Sequence, residues 1–235
     1  MTIPFSGFKG TTLVDYPGKV ASIIFVSGCN LRCPYCHNGR LFQVDKKSLI
    51  SPVFLMEKLR ERKEFIEAAV FSGGEPSLYE ELAGFIEEVK ESLGLNIKLD
   101  TNGLNPPFIE KVSKYVDYFA IDIKATPMLY STLLGADMSS DEVRSNLMAT
   151  KQFLETQSGK IVEYRTTLYP PVVSLPFLQE MSAFVPRNAS WYLQQFVAAT
   201  AWSKEAQQTP PYTNSQINSL ANSLKDLGYH ALVRN

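Results

Sequence analysis

Short β-branched and apolar runs alternate along the chain with longer stretches in which apolar positions recur every three to four residues. Val20 to Val26 is one such run, bounded by Gly18 and Gly28, and reads as a buried strand. Further strands are predicted at Ala68 to Ser72, Leu95 to Asp100, Tyr118 to Ile123, Ile161 to Thr167 and Trp191 to Phe196. Helical spacing follows each of them in turn: Pro52 to Phe65, Tyr79 to Ser92, Pro107 to Val116, Asp141 to Gln157, Leu175 to Phe184 and Asn214 to Leu227. The mixed charges of the first helix, Glu57 to Lys63, mark a solvated face. His230, within Gly228 to Val233, falls in a terminal strand and is assigned no role.

Six βα units with near-continuous apolar strands predict the α/β class, a parallel sheet with helices outside, either doubly wound or an open partial (β/α)6 barrel. In both, ligands belong at the C-terminal ends of the strands. Polar residues collect there. The first strand runs into Cys29, Cys33 and Cys36, the second into Ser72-Gly73-Gly74-Glu75-Pro76, the third into Asp100-Thr101-Asn102-Gly103 and the fourth into Asp122-Ile123-Lys124. Arg165 lies on the fifth strand, and Gln194 and Gln195 lie on the sixth. Each alone is an ordinary turn or strand end, but their coincidence at one end marks a functional face.

Composition narrows the partners. With 235 residues, 45% of them hydrophobic and 20% charged, the chain can bury a full core as a single domain over residues 1–235. A formal net charge of -1 gives no electrostatic footprint for nucleic acid. The N-terminal stretch has no basic region followed by an apolar one, and no run approaches the roughly 18 apolar residues of a membrane span, so a cytoplasmic protein without a membrane partner is expected. Three cysteines within eight residues make a poor disulfide framework and a good set of thiolate ligands in a reducing compartment.

The cysteines lie in Gly28-Cys-Asn-Leu-Arg-Cys-Pro-Tyr-Cys-His-Asn38, which has four chemical readings. Cys33-Pro34-Tyr35-Cys36 has the form of a redox dithiol, but that reading leaves the third cysteine and the Gly-Gly-Glu-Pro loop unexplained. Cys33 to His37 fits covalent haem attachment, which normally needs export and leaves His230 alone as a further axial ligand. Cys29, Cys33, Cys36 and His37 together are a zinc set, and the three cysteines alone offer three thiolates to an iron–sulfur cluster.

With its aromatic Tyr35 before the last cysteine, the C-x-x-x-C-x-x-C triad resembles the signature of the radical S-adenosylmethionine (SAM) superfamily, and Gly73-Gly74-Glu75-Pro76 resembles that superfamily's SAM-amine loop. The resemblance covers nearly the whole chain. It implies a 4Fe-4S cluster on Cys29, Cys33 and Cys36, with one iron left for SAM and reductive cleavage giving a 5′-deoxyadenosyl radical. It also implies SAM contacts from Tyr35, His37, Gly73, Gly74, Glu75, Asp100, Asp122, Lys124 and Arg165, with a monovalent cation as an option near Asp100.

Thr12-Leu-Val-Asp-Tyr-Pro-Gly-Lys19 and Cys36-His37-Asn38 look most like the activating enzymes of glycyl radical enzymes, above all the subgroup described as anaerobic ribonucleoside-triphosphate reductase activating proteins. The implied partners are a glycyl radical enzyme and a small flavodoxin or ferredoxin electron donor. There are two departures. The activases' Asp-Gly-Pro-Gly-Arg is Asp15-Tyr16-Pro17-Gly18-Lys19 here, and the sixth strand carries Gln194-Gln195 where some activases have histidine. A radical SAM enzyme acting on a small molecule, as 7-carboxy-7-deazaguanine synthase does, and a zinc or redox module are the other function classes. Six units of about 30 residues each leave no stretch for a separate substrate domain or long lid, so an open mouth is expected.

Overall fold

In a computed structural model, which describes residues 3–234, eight strands form one sheet in the order of the chain. They are β1 (Phe5–Thr12), β2 (Ala21–Val26), β3 (Ala68–Gly73), β4 (Asn96–Thr101), β5 (Tyr118–Asp122), β6 (Ile161–Thr167), β7 (Ser190–Gln194) and β8 (His230–Arg234). β1 pairs antiparallel with β2, and every later pair is parallel. β1 and β8 are the two edges, so the sheet is an open partial barrel. The six predicted strands are β2 to β7.

Among the described residues, eight α-helices connect the strands: α1 (Pro52–Arg62), α2 (Leu82–Leu93), α3 (Pro106–Val112), α4 (Pro127–Thr132), α5 (Ser140–Glu155), α6 (Leu175–Met181), α7 (Lys204–Gln208) and α8 (Asn214–Asp226). Local chemistry explains where they begin. The Ser51 and Asn105 side chains accept from the backbone N–H of Phe54 and Phe108, with proline in the first turn of each helix. Ser139 with Glu142, and Thr213 with Gln216, close reciprocal capping boxes on α5 and α8. α2 buries Leu82, Phe85, Ile86, Val89 and Leu93 along one stripe, each side chain worth about 1.5–3 kcal/mol when removed from water.

The period of two along each strand divides the molecule into two interiors. Ile24 and Val26, Phe71, Ile97 and Leu99, Phe119 and Ile121, and Trp191 and Leu193 join the helices in one large core. Their neighbours Ala21, Ile23, Ala68, Val70 and Tyr118 face the other way and pack with Tyr16 in a small separate cluster. The sequence pattern predicts apolar strands throughout; the inner face instead carries buried Lys98 and Glu163. Period-two placement puts Asp100 with Lys98 and Arg165 with Glu163 on that face.

Candidate active site

The segment after β2 turns back on itself and is pinned from three sides. Gly28 N–H donates to Leu41 O at 2.8 Å, Arg32 N–H to Leu134 O at 2.6 Å, and Ser203 N–H to Pro34 O at 2.9 Å. Within it, Cys36 N–H closes a turn on Cys33 O at 3.1 Å and Leu31 N–H points at Cys29 Sγ at 3.4 Å. Tyr35 is buried, stacks at 5.1 Å on Tyr169 and donates its hydroxyl to Lys124 O at 3.3 Å. The cysteine segment thus leans directly on the loop after β5.

The loop after β3 explains its glycines. Gly74 N–H donates to Val26 O and Glu75 N–H to Gly28 O, each at 2.8 Å, so this loop and the cysteine segment meet backbone to backbone. A Cβ on Gly74 would stand 2.1 Å from Gly28 O, and Gly73 has φ +119° with its Cβ position 2.4 Å from Val26 O. Only glycine fits both positions. Glu75, expected as a SAM contact, is buried and fully engaged: Oε1 accepts from Ser77 N–H at 3.0 Å and Thr101 Oγ1 at 2.6 Å, and Oε2 from Asn102 N–H at 2.8 Å. Burial raises its carboxyl above the ordinary glutamate range, and these bonds offset part of the rise.

A charge network lines the inner face. Arg165 Nε donates to Asp122 Oδ1 at 2.7 Å, and its Nη1 lies 3.4 Å from Asp100 Oδ1. Lys124 Nζ is 3.2 Å from Asp122 Oδ2, and Lys98 Nζ is 2.9 Å from Asp100 Oδ1. Deeper still, Glu163 accepts from Arg234 at 2.9 Å and from Tyr118 Oη at 2.7 Å. Burial alone would raise Asp122, but Arg165 and then Lys124 outweigh it and hold the carboxyl at about 2. Asp100 is likewise lowered against burial by Arg165 and Lys98. Burial would lower Lys124, but the Asp122 carboxylate beside it outweighs that effect and raises it.

This environment separates the readings of the cysteines. All three are free. Burial is the largest influence on each, pushing Cys29 up to about 11 and Cys33 up to about 12 and raising Cys36, with Lys124 pulling each back. His230 begins β8, at the end of the sheet away from the cysteines, where it cannot complete a haem site. Among the described residues no three His, Cys, Asp or Glu side chains converge as a single zinc ion would require. A cluster differs: its thiolates bind separate irons and need not converge on one point, and three of them leave one iron without a protein ligand. The donor set of three free soft thiols, Cys33 buried and Cys29 and Cys36 half-buried at the cavity, fits such a cluster.

Every predicted site residue borders one cavity of about 400 Å³: Cys29, Cys33, Tyr35, Cys36, His37, Gly73, Gly74, Glu75, Asp100, Asp122, Lys124 and Arg165. His37 lines it while remaining exposed. Gln194 also reaches the cavity, whereas Gln195 turns away and donates to Tyr212 O at 3.1 Å. Asp15, Asn38 and Thr167 line it without having been singled out as contacts, and Lys98, Glu163 and Arg234 support its walls from below. The alternations Lys98-Leu99-Asp100 and Glu163-Tyr164-Arg165 were the available signal for the last group.

The model of the Radical SAM superfamily matches residues 23–162. A protein of Methanocaldococcus jannaschii, provisionally named a glycyl-radical enzyme activating enzyme, is 28% identical over 233 residues, covering 97% of this chain and 95% of its own. The pyruvate formate-lyase-activating enzyme of Clostridium pasteurianum is 32% identical over 116 residues, 48% of each chain, and a 7-carboxy-7-deazaguanine synthase of Hyperthermus butylicus 27% identical over 113 residues. Among solved structures, QueE from Escherichia coli superposes over 100% of this chain and 95% of its own with a TM-score of 0.62 at 12% identity, a likeness of fold. Among the described residues, no helix is long and apolar enough to cross a membrane.

Proposed function

Because the chain belongs to the radical SAM superfamily, we propose that it is an activase that cleaves SAM at a 4Fe-4S cluster and generates a glycyl radical on a partner enzyme, with an anaerobic ribonucleoside-triphosphate reductase as that partner. The observation that carries the reading is the gathering of three free cysteines, the Gly-Gly-Glu-Pro loop and the Asp122–Lys124–Arg165 network around one cavity. The near end-to-end match to the archaeal relative favours an activase.

Cys29, Cys33 and Cys36 would hold the cluster. When bound, cluster and SAM supply one-electron cleavage of the sulfonium and a 5′-deoxyadenosyl radical able to take a hydrogen atom from glycine. The chain's residues bind, orient and shield. Gly73 and Gly74 keep the backbone close to the cysteine segment, and Glu75 fixes that loop to Thr101 and Asn102. Asp100, Asp122, Lys124 and Arg165 present fixed charges suited to an amino acid's ammonium and carboxylate. Tyr35, buried, and His37, exposed, both line the cavity. An external reductant, a flavodoxin or ferredoxin, would deliver the electron.

The test is anaerobic incubation of the reconstituted protein with SAM, a reductant and an anaerobic ribonucleotide reductase. A glycyl radical should appear on the partner by paramagnetic resonance, and replacing any one of the three cysteines by alanine should abolish both the iron complement and the radical. The half-length similarity to a 7-carboxy-7-deazaguanine synthase supports a second reading, a small-molecule substrate. Release of 5′-deoxyadenosine with a small molecule and no activation of any glycyl radical enzyme would establish that instead.

A further inference from the structure

A monovalent cation beside Asp100 is what the family resemblance would add, and the residues around that carboxylate do not fit one. Asp100 Oδ1 is buried and accepts no hydrogen bond among the described residues, but it already faces two ion-pair partners, Lys98 Nζ at 2.9 Å and Arg165 Nη1 at 3.4 Å, while Oδ2 accepts from Ser72 Oγ at 3.0 Å. The neighbouring Asp122 has both oxygens engaged by Arg165 and Lys124. An added cation would meet three positive side chains and, among the described residues, no free set of acidic ligands.

We propose that Lys98 is a built-in cation. Its ammonium, carried on β4 two residues before Asp100, occupies the place at that carboxylate that a metal ion would otherwise fill, so that SAM binding needs no added monovalent cation. This rests on the SAM-binding reading of the cavity. The ammonium is tethered from below as well as above. It donates to Asp15 O at 2.6 Å and sits 5.3 Å from the Tyr118 ring, whose edge contact with Tyr16 closes the floor at a centroid distance of 5.3 Å. The departure Asp15-Tyr16 in the N-terminal loop thereby acquires a purpose: Tyr16 is driven into the sheet's inner face, and the Asp15 carbonyl is turned toward Lys98. Lys98 is itself buried, so its charge stays where the fold puts it and is poorly screened by salt. Lys98 is a positioning residue here, acting on SAM through Asp100.

The experiment titrates SAM into the anaerobically reconstituted holoenzyme in potassium, sodium or choline chloride at equal ionic strength. Wild-type affinity should be the same in all three. Lys98→Ala, which opens space at the carboxylate, should lose about 5- to 150-fold in affinity in choline, the usual span of a site-to-site coupling, and recover most of it in potassium or sodium. Lys98→Met, which fills the space without charge, should lose affinity in every salt. Melting of the cluster-free Lys98→Ala chain should rise with potassium over choline, and that of wild type should not. A wild-type affinity that depends on potassium or sodium would overturn the proposal, as would a Lys98→Ala protein equally weak in all three salts. Should Lys98→Ala not fold, the wild-type and Lys98→Met titrations still decide. Absence of SAM binding by wild type in any salt would sink the SAM reading itself, a result distinct from either failure.

Discussion

Glu75→Gln should damage the loops before it damages any ligand contact. The wild-type carboxylate accepts three hydrogen bonds inside the protein, two on Oε1 and one on Oε2. Glutamine keeps one acceptor oxygen. If that oxygen faces Ser77 and Thr101, the amide NH₂ is turned against the Asn102 N–H, so one bond is lost and a buried donor is left unpaired. The cost is about 1–3 kcal/mol for the unpaired group. For a chain of this length each kcal/mol lowers the melting midpoint by about 2–4 °C, so a fall of roughly 5 °C is expected. Glu75→Ala strands all three donors and should cost more, about 3 kcal/mol or beyond. The assay is thermal melting of the cluster-free chain together with SAM titration of the reconstituted protein. SAM affinity should fall in proportion to the loss of stability, because the loop after β3 and the loop after β4 separate together. A Glu75→Gln protein that melts like wild type yet no longer binds SAM would refute this reasoning and make Glu75 a direct ligand.

Gly74→Ala should behave differently from an ordinary surface substitution, because the new methyl group would stand 2.1 Å from the Gly28 carbonyl and must push the cysteine segment away; iron content after reconstitution should drop along with stability, and full loading would show that the two loops are not coupled. Asp122→Asn tests the charge network by pH. The Asp122 carboxyl sits at about 2 in the fold, below the roughly 3.9 of an unfolded aspartate, so its stabilisation is complete above about pH 5 and is lost progressively as the pH falls through about 2. The shift corresponds to about 2.6 kcal/mol. The gap in unfolding free energy between wild type and Asp122→Asn, measured by denaturant on the cluster-free chain, should therefore narrow from about pH 5 downward, and a constant gap would remove Asp122 from the network.

Most of the sheet was legible because its signals are local. β6 falls at Ile161–Thr167 as predicted, and the other predicted strands differ only at their ends, where the last paired residue depends on a neighbouring strand. α6 stops at Met181 and tightens into a 3₁₀ turn over Ser182–Phe184, which a helical period does not distinguish. β1 was not foreseen. Phe5–Thr12 contains Gly7 and Gly10 and has little strand propensity of its own; it is held by pairing with β2, where Gly7 lies under the Phe25 ring. The short α4 and α7 were missed for a related reason, since helices of five or six residues persist only through what they pack against. At the site, the motifs point to residues that line one cavity but do not show their partners. Nothing near Glu163 in sequence announces Arg234, 71 positions away, and nothing near Lys98 announces the Asp15 carbonyl. Nothing near Glu75 in sequence announces the Thr101 and Asn102 donors that tie its carboxylate to the end of β4.

The same inner face bears on the choice between a protein and a small-molecule substrate. Its floor is closed by Tyr16 and Tyr118 in edge contact, and its walls are held by ion pairs whose members are mostly buried and cannot swing aside without leaving a charge unpaired, at a cost of several kcal/mol. The cavity is therefore not readily enlarged. At about 400 Å³ it lies toward the small end of the roughly 300–1,000 Å³ typical of a site for one small molecule, and the cluster and SAM would have to share it. A second free ligand would need its own binding groups in what space remains. A glycine at the tip of a partner's loop needs far less: it enters with no side chain, and its orientation is set by contacts outside the cavity. The exposed apolar residues Leu78, Met128, Leu133 and Val197 lie on segments that follow the C-terminal ends of β3, β5 and β7. Their burial against a docked protein would contribute binding energy and also exclude water from the radical, which a small substrate could not do.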